Sequence, residues 1–328
     1  MRHFSRAFLI ASVVTALNTT ALGQEKSKAY TDPAKVDEDY AYQGEYSGDV
    51  MTADGDLKVG AQVIALGGGK FRIVGYHGGL PGEGWNKSER RIAEGQRSEG
   101  SVKFSMDGNT VAVDRDSILV TDSDGSRRGE LKNVERKSPT LGKKPPAGAV
   151  VLFDGKNTDA WQKARMTDDG LLMQGVTSKQ KFGSHSLHIE FRLPYMPTAR
   201  GQARGNSGIY LQGRYEVQML DSFGLEGKHN ECGGIYTIAE PKVNMCYPPL
   251  TWQTYDIDYT AAEYDGDKKT KNARVTVKHN GVTIHDNVEL THATTAAPLK
   301  EGLEPGPVYL QDHGNPVRYR SIWVVEKK

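Results

Sequence analysis

GNSGIYLQGRYEVQMLDSF, residues 205–223, reads as two adjacent β-strands with polar residues at alternate positions. One parity holds Asn206, Gly208, Tyr210, Glu216 and Gln218, and the other holds Ser207, Ile209, Leu211, Val217 and Met219. Successive side chains of a strand point to opposite faces of its sheet. One face therefore meets a core, and the other gathers amide, phenol and carboxylate groups. A sugar-binding sheet is built this way, and an ordinary half-solvated antiparallel sheet alternates in the same manner.

The rest of the chain extends this pattern. SLHIEFRLP sets Leu187, Ile189 and Phe191 against His188, Glu190 and Arg192, and WQTYDIDYT sets Tyr255, Ile257 and Tyr259 against Thr254, Asp256 and Asp258. Asn280-Gly281, in ARVTVKHNGVTIHDNV, is a hairpin dipeptide between alternating runs. GPVYLQDHG and VRYRSIWVV form a last strand pair. Upstream, GAQVIAL and KFRIVGY alternate likewise, and Asp107-Gly108 marks a hairpin inside VKFSMDGNTVAV. HGGLPGEGWNKSERR is a long glycine-rich loop. No stretch longer than about ten residues shows a capped 3.6-residue apolar period, which excludes a helix-rich or βαβ fold. The chain is thus expected to be all-β, with a jelly-roll β-sandwich preceded by a smaller β-rich domain.

Its 328 residues suffice for about two domains. Arg2, His3 and Arg6, the apolar run from Ala7 to Ala16 and the Ala21-Leu22-Gly23 cleavage site make residues 1–23 a signal peptide. The protein is accordingly expected in the periplasm or outside the cell. No later run reaches the roughly 18 apolar residues of a membrane span. Residues 24–39 read as a flexible lead, 40–136 as a small accessory β domain, 137–148 (KSPTLGKKPPAG) as a linker and 149–328 as the sandwich. A net charge of +1 gives no general field for nucleic acid or anionic membrane, so a neutral small molecule fits better. Cys232 and Cys246 either form a disulfide or remain two buried thiols.

LFDGKNTDAW, the 205–223 block, CGGIYTIAEPKVN, WQTYDIDYT, HNGVTIHDN and GPVYLQDHGNPVRYRSIWV together resemble the 3-keto-disaccharide hydrolase family over about residues 148–326. The resemblance implies a concanavalin-like jelly roll acting on glycosides that a separate sugar 3-dehydrogenase has already oxidised at carbon 3. It implies cleavage by elimination and hydration. A C3 ketone acidifies the C2 proton; a base removes it, and the resulting enolate expels the C1 substituent. Such a site needs one base and donors for the enolate and leaving oxygens, not the two carboxylates of ordinary glycosidases.

Glu216 is the expected base, because it stands on the polar parity of a central strand; the alternative is a structural carboxylate paired with an arginine. His313 is a candidate acid or base, or a turn histidine. Arg320 is the candidate enolate donor, or an ion-pair partner of Glu216. Asn206, Gln218 and Gln311 suit sugar hydroxyls, and Tyr210 or Tyr236 a stacking face, each with structural hydrogen bonding as the alternative. Asp221, His229 and Glu231 are the candidates for a divalent metal, though their spacing matches no zinc signature. GGGK at residues 67–70 lacks the spacing of a phosphate-binding loop. A lectin-like protein that binds sugar without turnover is the rival function.

Overall fold

The structure, a computed structural model, describes residues 27–327. The expected signal peptide lies outside them.

Eight strands close in chain order into an antiparallel barrel, the form taken by the expected accessory domain. They are β1 (Gly44–Thr52), β2 (Gly55–Gly67), β3 (Lys70–His77), β4 (Arg91–Ser98), β5 (Ser101–Met106), β6 (Asn109–Val113), β7 (Ser117–Thr121) and β8 (Arg127–Val134). β1 pairs with both β2 and β8, which removes the free sheet edges. Asp107 and Gly108 adopt φ of 50° and 78°, as the β5–β6 hairpin requires. Alternation along each strand sends Tyr46, Val63, Phe71, Val102, Phe104, Val113 and Leu131 into one apolar interior.

The second domain is a sandwich. Its strands are β9 (Val150–Phe153), β10 (Trp161–Gln162), β11 (Leu172–Met173), β12 (Val176–Phe182), β13 (His185–Arg192), β14 (Ser207–Leu211), β15 (Tyr215–Met219), β16 (Trp252–Thr260), β17 (Glu263–Asp265), β18 (Lys268–Lys271), β19 (Ala273–His279), β20 (Val282–Leu290), β21 (Gly306–Leu310) and β22 (Arg318–Glu326). One sheet runs β10-β12-β21-β14-β15, and the other runs β11-β22-β13-β16-β19-β20 with β9 also on β22. Ile209, Leu211, Val217 and Met219 of the first sheet share one buried cluster with Leu187, Ile189, Phe191, Tyr255 and Ile257 of the second. The Ser207 and Tyr319 hydroxyls meet at 2.6 Å across this core. Asn280 and Gly281, at φ of 49° and 81°, turn β19 into β20. β17 and β18 form a separate hairpin.

The expected linker and the expected flexible lead are both packed. Residues 137–148 lie across the outer face of the second sheet: Ser138 meets the Thr254 hydroxyl at 2.6 Å, Thr140 donates to Asp256 at 2.6 Å, and the Gly142 N–H donates to Glu190 at 2.5 Å. Proline and glycine content signalled the lack of regular structure but not the side-chain partners below it. In the lead, Tyr30 exchanges backbone hydrogen bonds with Tyr195 at 2.9 Å, and the Tyr195 hydroxyl donates to Asp37. Both cysteines are buried free thiols.

Candidate functional site

The β14–β15 hairpin sets Tyr210 opposite Glu216 and Gly208 opposite Gln218. Because Ile209 and Val217 fill the core, these four residues occupy the outer face of the five-stranded sheet. Glu216 is only 3% exposed, and its Oε1 is buried with no hydrogen-bond partner. Burial pushes its carboxyl up to about 7, against a smaller opposing pull from the Tyr210 hydroxyl. Gly208 is what admits it: a Cβ there would stand 2.0 Å from Oε1. The Glu216 N–H is fixed by the Thr294 hydroxyl at 3.0 Å.

Around the carboxyl the groups are neutral. Gln311 donates to the Tyr210 hydroxyl at 3.1 Å, and the other end of its amide, Oε1, is buried without a partner. The Tyr210 and Tyr309 rings lie 5.4 Å apart. Burial, then the neighbouring Glu216 charge, raises the Tyr210 phenol, so it remains a donor. Gln218 donates to Asn206 at 2.8 Å, and Asn206 donates to the Gln202 carbonyl at 2.8 Å. Beside this group, Tyr236 packs edge-on to His229 at 5.9 Å. His229 Nδ1 accepts the Thr237 N–H, which puts its ring proton on Nε2.

The structure thus gathers Glu216, Tyr210, Gln311, Gln218 and Asn206 on one face, and it separates the rest. Arg320 is a correction. It lies on β22 of the other sheet and points outward, since its neighbour Tyr319 is in the core. There it binds Glu190 at 2.6 Å and covers the Trp252 ring at 4.0 Å, on the opposite side of the sandwich from Glu216. His313 is exposed in a turn that Asp312 closes by accepting the Gly314 N–H, the turn position foreseen as its alternative. The expected meeting of carboxylate, imidazole and guanidinium therefore does not occur with these residues. Shared parity identifies a face only within one sheet.

Three of the sugar-binding expectations change as well. Tyr210 is fully buried and offers no stacking face, and Asn206 and Gln218 use their amides on each other. Of the expected sugar contacts, Gln311 and Tyr236 are partly exposed, and Tyr309, which the sequence reading missed, joins them. Thr294 was missed too, because nothing in THATT marks it as the anchor of a strand far upstream. The three metal candidates do not converge. Asp221 is bound to Arg204 at 2.6 Å, Glu231 caps the Gly227 N–H at 2.6 Å, and His229 faces Tyr236. Among the described residues no group of three or more His, Cys, Asp or Glu is placed to hold a metal.

Residues 148–325 match the family described as the 3-keto-alpha-glucoside-1,2-lyase-like domain, so the match begins after the barrel. A solved structure from Parabacteroides distasonis, provisionally named a glycosyl hydrolase, is 33% identical with a TM-score of 0.50, covering 56% of this chain and 85% of its own. A second protein of that organism, under the same provisional name, is 18% identical with a TM-score of 0.41, covering 55% and 95%. No protein of curated function matches the sequence.

Proposed function

The chain belongs to the 3-keto-alpha-glucoside-1,2-lyase-like family, and from that membership we propose an exported enzyme that cleaves 3-keto-glycosides by C2 proton abstraction, with Glu216 as base. The family domain makes it a carbohydrate-active enzyme of the glycosyl hydrolase kind. The finer assignment is carried by the state of Glu216, a buried carboxyl with a free oxygen and an affinity for protons set near neutrality. A base works best when its pKa lies near the working pH.

In the proposed reaction Glu216 takes the C2 proton, and the C–H electron pair forms the C2–C3 double bond of an enolate. Collapse of the enolate restores the C3 ketone, makes the C1–C2 double bond and sends the C1–O electron pair to the leaving oxygen. The proton held by Glu216 is then available to that oxygen, and addition of water across C1–C2 completes hydrolysis. Tyr210 accepts from Gln311 and so directs its own hydrogen toward Glu216, orienting the carboxyl. Tyr236, Tyr309 and the Nε2–H of His229 supply the donors and ring surface at the solvent edge.

The test is incubation of the purified chain with a 3-keto-disaccharide and with its unoxidised parent. Turnover of the keto sugar alone is expected, with a slower rate when C2 carries deuterium and an acid limb of kcat/KM near pH 7. Saturable binding of the keto sugar without product would overturn the assignment in favour of a lectin.

A further inference from the structure

The two ends of the barrel are filled differently. At the end where β2 turns into β3, the rings of Tyr42, Tyr46 and Phe71 close the interior. Toward the other end, where β1 meets β2 and β5 meets β6, the inward positions are Val50, Leu57, Val59, Ala61, Val111 and Val120, short aliphatic groups that do not meet across the lumen. They leave an open cavity of about 180 Å³. An eight-stranded barrel is just wide enough to be filled by side chains or to hold one small ligand. Here the lining does the first at one end and the second at the other.

We propose that this cavity is a binding site for a neutral, ring-sized apolar group carrying one hydrogen-bonding substituent, of the phenol class. Size sets the ring: an apolar cavity of about 150 Å³ is known to hold benzene, and this one is slightly larger. Polarity sets the substituent and its direction. The wall is aliphatic, whereas the mouth carries Thr52, His77, Arg91 and Asn109 on the same inward parity. A few polar groups at the rim of an apolar pocket orient a ligand. Charge sets neutrality, because Arg91 stands 3.5 Å from Asp107 and 3.7 Å from Glu89, so the mouth has no unopposed cation for an anion. Met106 also lines the site and provides a methyl group that can be observed.

The experiment titrates p-cresol into the full chain labelled at its methionine methyl groups. Saturable binding is expected, with the Met106 methyl resonance shifting while that of Met245, buried in the sandwich core, stays fixed. Leu57→Trp, at the partly exposed mouth, should weaken binding at least tenfold with the melting temperature retained. Arg91→Ala, which leaves the wall intact, should weaken p-cresol while sparing toluene. No saturable shift of Met106 up to millimolar p-cresol, or equal affinity in Leu57→Trp, would overturn the site. Neither outcome depends on turnover of any sugar.

Discussion

Glu190 and Glu216 stand back to back on the two outer faces of one sandwich, both nearly inaccessible to water, and their surroundings drive them in opposite directions. Burial favours the neutral acid at both. At Glu190 it is outweighed by the His188 ring 3.8 Å away and by hydrogen bonds from Arg320 and the Gly142 N–H, and the carboxyl is held below its usual range. At Glu216 there is no cation, one oxygen has no partner, and burial wins. A buried carboxylate saturated by charge is a clamp. One surrounded by phenols and amides suits the base we propose.

Exchanging each carboxyl for an amide should separate the two roles. Glu216→Gln should lower kcat on a 3-keto-disaccharide by about 10²–10⁴, the usual scale of general base catalysis. Steady-state kinetics checks it, and retention of more than a tenth of the rate would remove Glu216 from the chemistry. Glu190→Gln should leave kcat within a fewfold but cost about 1.5–3 kcal/mol of stability, since it removes the carboxylate bound to Arg320 and facing His188. Urea unfolding measures that loss, and a loss under 1 kcal/mol would deny Glu190 its clamping role.

The same pair shows what was legible in the sequence. Alternation in SLHIEFRLP and YEVQM placed both carboxylates on polar faces, and both strands formed as read. The hairpins at Asp107-Gly108 and Asn280-Gly281 were equally plain, because only a few residue types tolerate positive φ there. What alternation cannot give is the sheet to which a strand belongs. Arg320 was grouped with Glu216 for that reason, although the β13–β22 register sets it opposite Glu190. Nor does composition show that KSPTLGKK lays hydroxyls on Thr254 and Asp256 and an amide N–H on Glu190. Closure of the barrel was equally hidden, as it depends on β1 meeting β8 some 80 residues later.

A second effect runs the other way. The Glu216 carboxyl is charged near pH 4.5 in the unfolded chain but near 7 when folded. Between these values the folded state holds a proton that the unfolded state has lost, so stability falls as pH rises, by about 3 kcal/mol in all at 1.36 kcal/mol per pH unit. Glu216→Gln removes this cost. It should be the more stable protein at pH 8 and equal to the parent below about pH 4.5, as thermal melts across that range would show. A variant no more stable at pH 8 would mean that the charged carboxyl finds a partner, contrary to the contrast with Glu190.

The clamp face has its own pH window. Burial works against charge on His188, but the hydrogen bond to Asp256 and the Glu190 carboxylate 3.8 Å away prevail and raise its pKa; the same contacts help to hold Glu190 below its usual range and Asp256 down to about 2. A raised histidine stabilises fully below its unfolded value of about 6.5 and ceases to do so as pH climbs through the folded value. The lowered acids stabilise above about 4.5 and lose that effect as pH falls toward their folded values. Attachment of residues 138–143 should therefore be tightest between about pH 4.5 and 6.5. In His188→Asn, where Asp256 keeps a neutral donor at the Nδ1 position, the loss should be about 1.5–3 kcal/mol, the worth of a hydrogen bond to a charged group. It should shrink as pH rises through the raised folded value, where the parent histidine loses its charge as well. Amide hydrogen exchange at Gly142, whose N–H is bound to Glu190, reads this locally. Protection that stays level from pH 5 to 8 after correction for intrinsic exchange would show that the strap is held by its hydroxyl contacts and not by the charge on His188.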